Sequence, residues 1–354
     1  MTSFPSYSRS GERVARLCDS VGDAQTLRLE LLAEFSRVIG FDAYVWLLTD
    51  PETSVGSSPL AESPCMQELP SLILLKYLTG VNRWTTLNTP VALLARATDG
   101  DLMRSLLWRD LLVRYGVVDV ASSVFADRFG CWGFLDLWRI DPAPGFSDAD
   151  AAYLAGIAEP VTRALRRTQA NTFLAPAKGE PHQRGPVVLL LSDHLEVLAE
   201  TPATQDYLRV LVPPSEGQRS PVPASAYNVA AQLLAVEAEV DQNQPSARVH
   251  LSDGVWLTLR AARIGSVGSP PERAIAVTIE ETSPTDRAAL FASAFGLSPR
   301  EGELLGHLVA GSDTRDLAHQ MSLSEHTVQD HLKSIFAKTS VHNRPTLLAR
   351  ALGT

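Results

Sequence analysis

Apolar positions follow a helical period near the start of the chain and then change to a short continuous run. Residues 23–39 place apolar side chains every three to four positions from Leu27 to Ile39, and Gly40 follows. This pattern predicts an amphipathic helix that ends at the glycine. The run "AYVWLLT" (43–49) comes next and predicts a buried strand.

The pattern then alternates between loop, helix and strand signals. "DPETSVGSSP" (50–59) predicts a loop, residues 66–115 a mostly helical stretch, and residues 118–139 two strands around "DRFG". Ser147 is a favourable N-cap, with Asp148 and Asp150 in the first turn of a long helix.

A second set of strands follows a polar segment with Pro and Gly at 169–185, which predicts a linker. Residues 187–200 predict two strands around a tight turn, and residues 226–237 an apolar helix. A hairpin is expected around Asp253-Gly254, followed by an alternating strand in "RAIAVTIEE". From residue 284 onward the pattern is helical throughout, and this change of class indicates a separate domain.

The helical region carries the clearest local signals. Ser298 with Glu301 three residues later forms a capping-box motif, and Pro299 stands at the favoured first helical position. A short second helix follows, and Ser324 is the N-cap of a longer third one. Helices separated in this way by turns of a few residues are typical of helix-turn-helix geometry.

A helical wheel divides the third helix into faces. Val328, Leu332 and Ile335 fall on the inner face. The outward face carries His326, Gln329, Asp330, Lys333 and Ala337, and one flank carries Thr327, His331, Ser334 and Lys338. The flank side chains can donate hydrogen bonds to phosphate oxygens, whereas the amide, carboxylate and amine of the outward face can bind base edges.

The net charge of the chain limits the kind of nucleic-acid binding that can be expected of this helix. The chain of 354 residues has a net charge of −9, which argues against indiscriminate binding to nucleic acid. Residues 297–354 are neutral, with six Lys or Arg and six Asp or Glu. Specific DNA binding by this one module is therefore still compatible with the acidic chain.

The motifs "LSPRE", "LVAG", "DLA", "SLSEHTVQDHLKSIFAK" and "NR" together resemble the LuxR/FixJ-type helix-turn-helix domain over about residues 290–354. The resemblance implies an all-α domain of four helices. It implies base contacts from Gln329, Asp330 and Lys333, and phosphate contacts from Thr314, Arg315, Thr327, Lys338 and Arg344. It also implies that the final helix, "RPTLLARAL", pairs two subunits. The chain departs from the family where Ser322 replaces a common Gly and Asp330 replaces a neutral or basic residue.

Asp330 allows two interpretations. As a groove residue, it accepts a hydrogen bond from cytosine N4 and repels mismatched sites, so it exchanges affinity for selectivity. Alternatively, Asp330 and Lys333 form a surface pair that touches no base.

The region 21–168 resembles a GAF domain, most clearly in the helix that follows "GFLDLWR", and residues 1–20 are expected to be an N-terminal tail. Trp132, Phe134, Asp136 and Trp138 share one strand face, where Asp136 is a candidate anchor for a ligand in an aromatic pocket. The alternative is that these aromatic residues are ordinary core.

Residues 186–283 resemble a PAS-type domain, without a cofactor signature, that contributes to a dimer. The expected organisation is therefore α+β and multidomain: two α/β sensor domains, GAF-like and PAS-like, joined by the linker 169–185 and followed by the helix-turn-helix domain 284–354.

The expected function is sequence-specific binding of double-stranded DNA by a homodimer that responds to a small-molecule effector, in transcription regulation. No cofactor and no metal are expected, and no glycine loop or nucleophile–base arrangement indicates an enzyme. The apolar runs are too short for a membrane span, so a cytoplasmic protein is expected. The alternative is a signalling adaptor that uses the same domains for protein contacts without binding DNA.

Overall fold

A computed structural model describes most of the chain: residues 4–20, 22–174, 187–202, 204, 223–251, 255–264 and 274–353. Most of the predicted linker and the turn Asp253-Gly254 lie outside the described residues. The chain divides into two compact units. The first comprises residues 1–165, 183–249 and 258–280, and the second comprises residues 166–182, 250–257 and 281–354.

Two antiparallel sheet domains precede a helical domain. The first sheet domain has the following elements: α1 (Phe4–Ser20), α2 (Ala24–Val38), β1 (Ala43–Thr49), β2 (Gly56–Glu62), α3 (Leu69–Leu78), β3 (Val91–Leu93), α4 (Leu94–Ala97), α5 (Leu106–Asp110), β4 (Val117–Asp127), β5 (Gly130–Ile140) and α6 (Asp148–Asn171). Its strands lie in the order β2-β1-β5-β4-β3, and every recorded pair is antiparallel.

The predicted helix 23–39 and the strands at 43–49 and 118–139 are confirmed as α2, β1, β4 and β5. The predicted loop 50–59 is wrong in its second half, because β2 begins at Gly56 and pairs with β1, with Leu60 opposite Trp46. Gly56 and its serine neighbours carry no alternating apolar signal. The strand therefore follows from its pairing partner and not from its own sequence.

The expected N-terminal tail is instead the helix α1, which packs against α2. Inside this contact, the Ser10 hydroxyl donates to Glu34 Oε1 over 2.5 Å and lies 2.8 Å from the Tyr153 hydroxyl. Arg13 pairs with the same carboxylate at 2.7 Å. These polar contacts replace a long apolar stripe, which is why the sequence pattern did not reveal the helix.

The second sheet domain contains β6 (Val187–Leu191), β7 (Val197–Glu200), α7 (Ala224–Glu237), β8 (Ser246–His250), β9 (Trp256–Ile264) and β10 (Ala274–Glu281). Its strand order is β7-β6-β10-β9-β8. Counted within each sheet, both domains therefore have the order second, first, fifth, fourth, third. The predicted paired strands, apolar helix and three-strand finish are confirmed.

Buried ion pairs connect the two sheet domains within the first unit. Arg248 Nε donates to Asp50 Oδ2 over 2.6 Å, and Arg83 Nη2 pairs with Asp241 Oδ2 over 2.6 Å. All four side chains are almost fully shielded from solvent. A charge left unpaired at such a depth is strongly unfavourable, so these contacts hold the two sheets together.

The helical domain contains α8 (Pro284–Ala294), α9 (Pro299–Val309), α10 (Thr314–Gln320), α11 (Glu325–Thr339) and α12 (Arg344–Leu352). The expectation of four helices in 284–354 is wrong, because α8 precedes the four that were foreseen. Ser283 caps α8 and Pro284 occupies its first turn. Within the described residues, no helix is long and apolar enough to span a membrane.

Candidate DNA-binding surface and ligand cavity

The turn between α10 and α11 is built by local side-chain capping. Asp313 forms a capping box with Asp316 at the start of α10, and Ser324 accepts from the Thr327 backbone N–H at the start of α11. Between the two helices, Ser322 has φ +54°, in the left-handed region. The Ser322 backbone therefore adopts the conformation for which glycine is usually selected.

The predicted division of α11 into faces agrees with the structure. Val328, Leu332 and Ile335 are buried, with at most 5% of each exposed. The outward residues are all exposed: His326, Gln329, Asp330, Lys333 and Ala337. A capped helix thus presents an amide, a carboxylate and an amine to solvent on a face opposite its core.

Asp330 has two basic neighbours on its own helix, a lysine and a histidine. Lys333 Nζ donates to Asp330 Oδ1 over 3.0 Å, and His326 Nε2 lies 3.6 Å from Asp330 Oδ2. The hydrogen bond from Lys333 lowers the pKa of Asp330. The surface pair foreseen for Asp330 and Lys333 is present, and both side chains remain accessible to a partner.

Glu301 binds two residues of the predicted phosphate-binding flank, the half-buried Ser334 and the exposed Lys338. The Ser334 hydroxyl donates to Glu301 Oε1 and Lys338 Nζ to Glu301 Oε2, each over 2.6 Å. Burial disfavours the charged carboxyl. The hydrogen bonds from Lys338, Ser334 and Ser298 outweigh this cost and lower the pKa of Glu301 to about 2. The carboxylate therefore ties α9 to α11 and fixes the rotation of α11.

The other predicted phosphate contacts lie at helix starts. Thr314 and Arg315 begin α10, and Arg315 is exposed. Arg344 begins α12 and donates through Nη2 to the Ser312 carbonyl. This bond brings Arg344 to the segment that precedes α10.

The remaining flank residues, Thr327 and His331, are partly buried on α11. The Thr327 hydroxyl lies 2.9 Å from the Ser324 hydroxyl, so it belongs to the capping network of the helix start.

A cavity of about 60 Å³ lies in the first unit between the first sheet domain and α7. Asp136 and Trp138, two of the four residues predicted to line a ligand pocket, lie on its wall. Lys76 and Trp84, which sequence reasoning missed, also line it. Lys76 Nζ pairs with Asp136 Oδ2 over 2.8 Å, and Trp84 Nε1 donates to Asp136 Oδ1 over 2.9 Å. Both hydrogen-bonding partners of Asp136 therefore belong to its own domain.

The other two predicted pocket residues have different positions. Phe134 stacks on Trp84, with ring centroids 5.1 Å apart, and supports the cavity wall. Trp132 is not among the residues that line this cavity, and its indole N–H donates to Asp127 Oδ1 over 3.0 Å. Neighbouring Cys131 is buried, and this burial raises its pKa to about 11, so the thiol stays protonated.

Residues from the second sheet domain complete the cavity. Ala224 and Asn228 of α7 line it. Asn228 Nδ2 donates to the Gly56 carbonyl over 2.8 Å, and the Gly56 N–H donates to the Tyr77 hydroxyl over 3.0 Å. A Cβ on Gly56 would lie 2.6 Å from Leu47 Cδ1 and 3.0 Å from Asn228 Nδ2. A side chain at position 56 would therefore force Leu47 and Asn228 to shift.

The C-terminal region matches a known family. Residues 296–351 match the sequence profile of GerE, described as bacterial regulatory proteins of the luxR family. The chain is 37% identical over 71 residues to the probable HTH-type transcriptional regulator GfsR of Streptomyces halstedii, covering 20% of this chain and 29% of that protein. It is 41% identical over 54 residues to the monoamine regulon transcriptional regulator of Klebsiella aerogenes, covering 15% and 24%.

The chain thus spans less than a third of the length of these curated relatives. Over 98% of both chains, the structure also aligns with the crystal structure of Escherichia coli SdiA, with a TM-score of 0.34 and 13% sequence identity. That similarity is too low to assign a fold to the sheet domains.

Proposed function

We propose that this chain, whose C-terminal region is a luxR-family helix-turn-helix domain, is an effector-responsive transcriptional regulator that binds a specific duplex as a homodimer. The observation that carries the proposal is the outward face of α11. Gln329, Asp330 and Lys333 are exposed side by side on a capped helix whose opposite face is buried. A helix with these properties is suited to the major groove.

The proposed base contacts follow from the chemistry of these side chains. Gln329 offers a bidentate amide to adenine, Lys333 donates to guanine, and Asp330 accepts from cytosine N4. Thr314, Arg315, Thr327, His331 and Arg344 would contact phosphates and set the orientation of α11. The bonds of Ser334 and Lys338 to Glu301 support a positioning role for that pair, with Lys338 still reaching the backbone from its exposed position.

Two subunits would place their α11 helices about 34–36 Å apart, in successive major grooves of a pseudo-palindromic site. Pairing of α12 helices and of the PAS-like domains would set this spacing. The proposed domain boundaries are 21–168 for the GAF-like sensor, 169–185 for the linker, 186–283 for the PAS-like domain and 284–354 for the DNA-binding domain. The succession of elements in each sheet domain supports these two assignments.

The effector would occupy the cavity beside Asp136 and Trp138. A ligand can shift a regulator between two arrangements only if it binds one of them more tightly. The cavity is lined by both sheet domains, which makes its occupancy sensitive to their relative position.

Selection from a random duplex pool tests the DNA-binding proposal. The full-length chain is incubated with the pool at several salt concentrations, and retained duplexes are sequenced. We expect a pseudo-palindrome whose affinity falls steeply with salt, as phosphate contacts require. No retention, either with or without cell extract as a source of effector, would favour the adaptor function instead. Retention without any enriched sequence would contradict sequence-specific recognition.

A further inference from the structure

Histidines are concentrated in the helical domain. Residues 297–354 hold five of the eight histidines of the chain, together with six Lys or Arg and six Asp or Glu. The five are His307, His319, His326, His331 and His342. Histidine is the side chain that ordinarily changes charge between about pH 5 and 8. This stretch is therefore neutral when its histidines are neutral and becomes cationic when they are protonated.

His326 lies on the outward face of α11, one helical turn before Asp330. Its side chain is 84% exposed, and its Nε2 lies 3.6 Å from Asp330 Oδ2. Lys333 donates to the other carboxylate oxygen, Oδ1, over 3.0 Å. The charges of Asp330 and Lys333 cancel each other. The protonation state of His326 thus decides whether these three side chains are neutral or carry one positive charge.

The surroundings of His326 contain charges of both signs. On α11 itself, further charged or titratable neighbours are Glu325 and His331. The helices α9 and α10 pack against α11. The charged and titratable side chains of these two helices are Arg300, Glu301, Glu303, His307, Arg315, Asp316 and His319. Within the described residues, their ion pairs join Arg300 to Glu303 and Glu301 to Lys338, whereas His326 has Asp330 as its ion-pair partner.

A duplex bound to α11 would favour the protonated form of His326. The first residues of a recognition helix contact base edges, and phosphates surround them in the groove. A neutral imidazole has one N–H donor, whereas a protonated imidazole donates through both nitrogens. Protonated His326 can therefore bind Asp330 through Nε2 and the duplex through Nδ1 at the same time. A hydrogen bond from the charged ring is also stronger than one from the neutral ring.

We propose that His326 is a further DNA-contacting residue of α11 and that it binds the duplex in its protonated form, so that DNA binding takes up one proton per subunit from solvent. Its Nδ1 donates to a phosphate or guanine acceptor, and its Nε2 neutralises Asp330. This inference rests on the DNA recognition by α11 proposed above. His326 is not among the base and phosphate contacts that the LuxR/FixJ resemblance implies.

The coupling between pH and affinity has a defined sign. A group that holds its proton more tightly in the complex than in the free chain strengthens DNA binding at low pH, and this contribution disappears as pH rises. Each proton taken up changes the affinity by at most about tenfold per pH unit. The affinity for the selected duplex should therefore rise as pH falls from about 8 to about 6, where histidines titrate.

Fluorescence anisotropy of the full-length chain with the selected duplex, at constant salt and at about pH 6, 7 and 8, tests the proposal. His326→Gln keeps a hydrogen-bonding side chain but does not titrate. Its affinity should depend on pH less steeply than that of the wild-type chain, by up to about tenfold per pH unit for each subunit. His194→Gln is the matched control, because His194 is an exposed histidine beside Asp193 but lies in the second sheet domain. This control should reproduce the pH dependence of the wild-type chain.

A double-mutant cycle with Asp330→Asn at about pH 6 measures the coupling between the two side chains. The loss of affinity caused by His326→Gln should be smaller when position 330 is uncharged. An equal loss in both backgrounds would refute the neutralisation of Asp330 by His326.

A scrambled duplex identifies the acceptor. An equal effect of His326→Gln on the selected and scrambled duplexes would indicate a phosphate contact, and an effect confined to the selected duplex would indicate a base contact. Absence of binding by the wild-type chain to every duplex and at every pH would refute DNA recognition and this inference together. Binding with the same pH dependence in the wild-type chain and in His326→Gln would overturn this inference alone.

Discussion

Replacement of Glu301 by glutamine should weaken the contact between α9 and α11 and so destabilise the helical domain. The pKa of the Glu301 carboxyl falls from 4.5 to about 2 in the folded chain, because three hydrogen-bond donors outweigh the effect of burial. At about 1.36 kcal/mol per pKa unit, this shift corresponds to about 3 kcal/mol of stability at neutral pH. The amide introduced by Glu301→Gln would retain part of this network, so about 3 kcal/mol is the upper limit of the expected loss.

The pH dependence has a defined sign. Because the folded-state pKa is the lower one, the stabilisation is fully present above the unfolded value of 4.5 and disappears as pH falls towards about 2. The free energies of unfolding of the wild-type chain and of Glu301→Gln should therefore differ most at neutral pH and become nearly equal near pH 2.

Hydrogen exchange of the backbone amides in the full-length chain measures this loss of stability separately for α9 and for α11. Glu303→Gln is the matched control, since Glu303 lies on the same helix and forms a surface pair with Arg300. Such a pair contributes up to about 0.5 kcal/mol. Equal protection of α11 in wild type and Glu301→Gln would refute the role assigned to this carboxylate.

Three further predictions concern the turn, the groove face and the contact between the sheet domains. Ser322→Gly should stabilise the helical domain by about 1 kcal/mol, because Ser322 has a positive φ; a lower unfolding temperature of this domain would contradict this. Asp330→Ala should raise the affinity for all duplexes and reduce the difference in affinity between matched and mismatched duplexes, both measured by fluorescence anisotropy. The selectivity hypothesis would be wrong if the variant bound no duplex more tightly and ranked the duplexes as the wild-type chain does. Arg248→Met should destabilise the first unit by about 3–5 kcal/mol, since it leaves Asp50 buried and unpaired; a urea midpoint equal to wild type would show that this pair is not needed.

The helical domain could be predicted from sequence because its signals are local. Ser298 and Glu301 are three residues apart, and both bonds of the capping box form between them. The inner positions of α11 repeat with the helical period, and Val328, Leu332 and Ile335 are indeed buried. Short-range geometry of this kind depends little on the rest of the fold.

The contacts that position the functional groups could not be predicted, because they join residues far apart in sequence. Glu301 meets Ser334 and Lys338 across separations of 33 and 37 residues. The cavity depends on Lys76 meeting Asp136, and its last wall comes from Asn228 of another domain. A lysine in an apolar helix carries no sign of which carboxylate it will pair with. Only the pairing of strands and the packing of α3 and α7 determine this.

The affinity of Gln329→Ala for the selected duplex is the most direct test of DNA recognition by α11. Gln329 is exposed on the outward face, so its truncation should leave the unfolding temperature unchanged. We expect a loss of roughly tenfold or more on the selected duplex and little change on a scrambled duplex, as for the loss of one bidentate base contact. Equal affinity of the variant and the wild-type chain for the selected duplex would contradict the central claim.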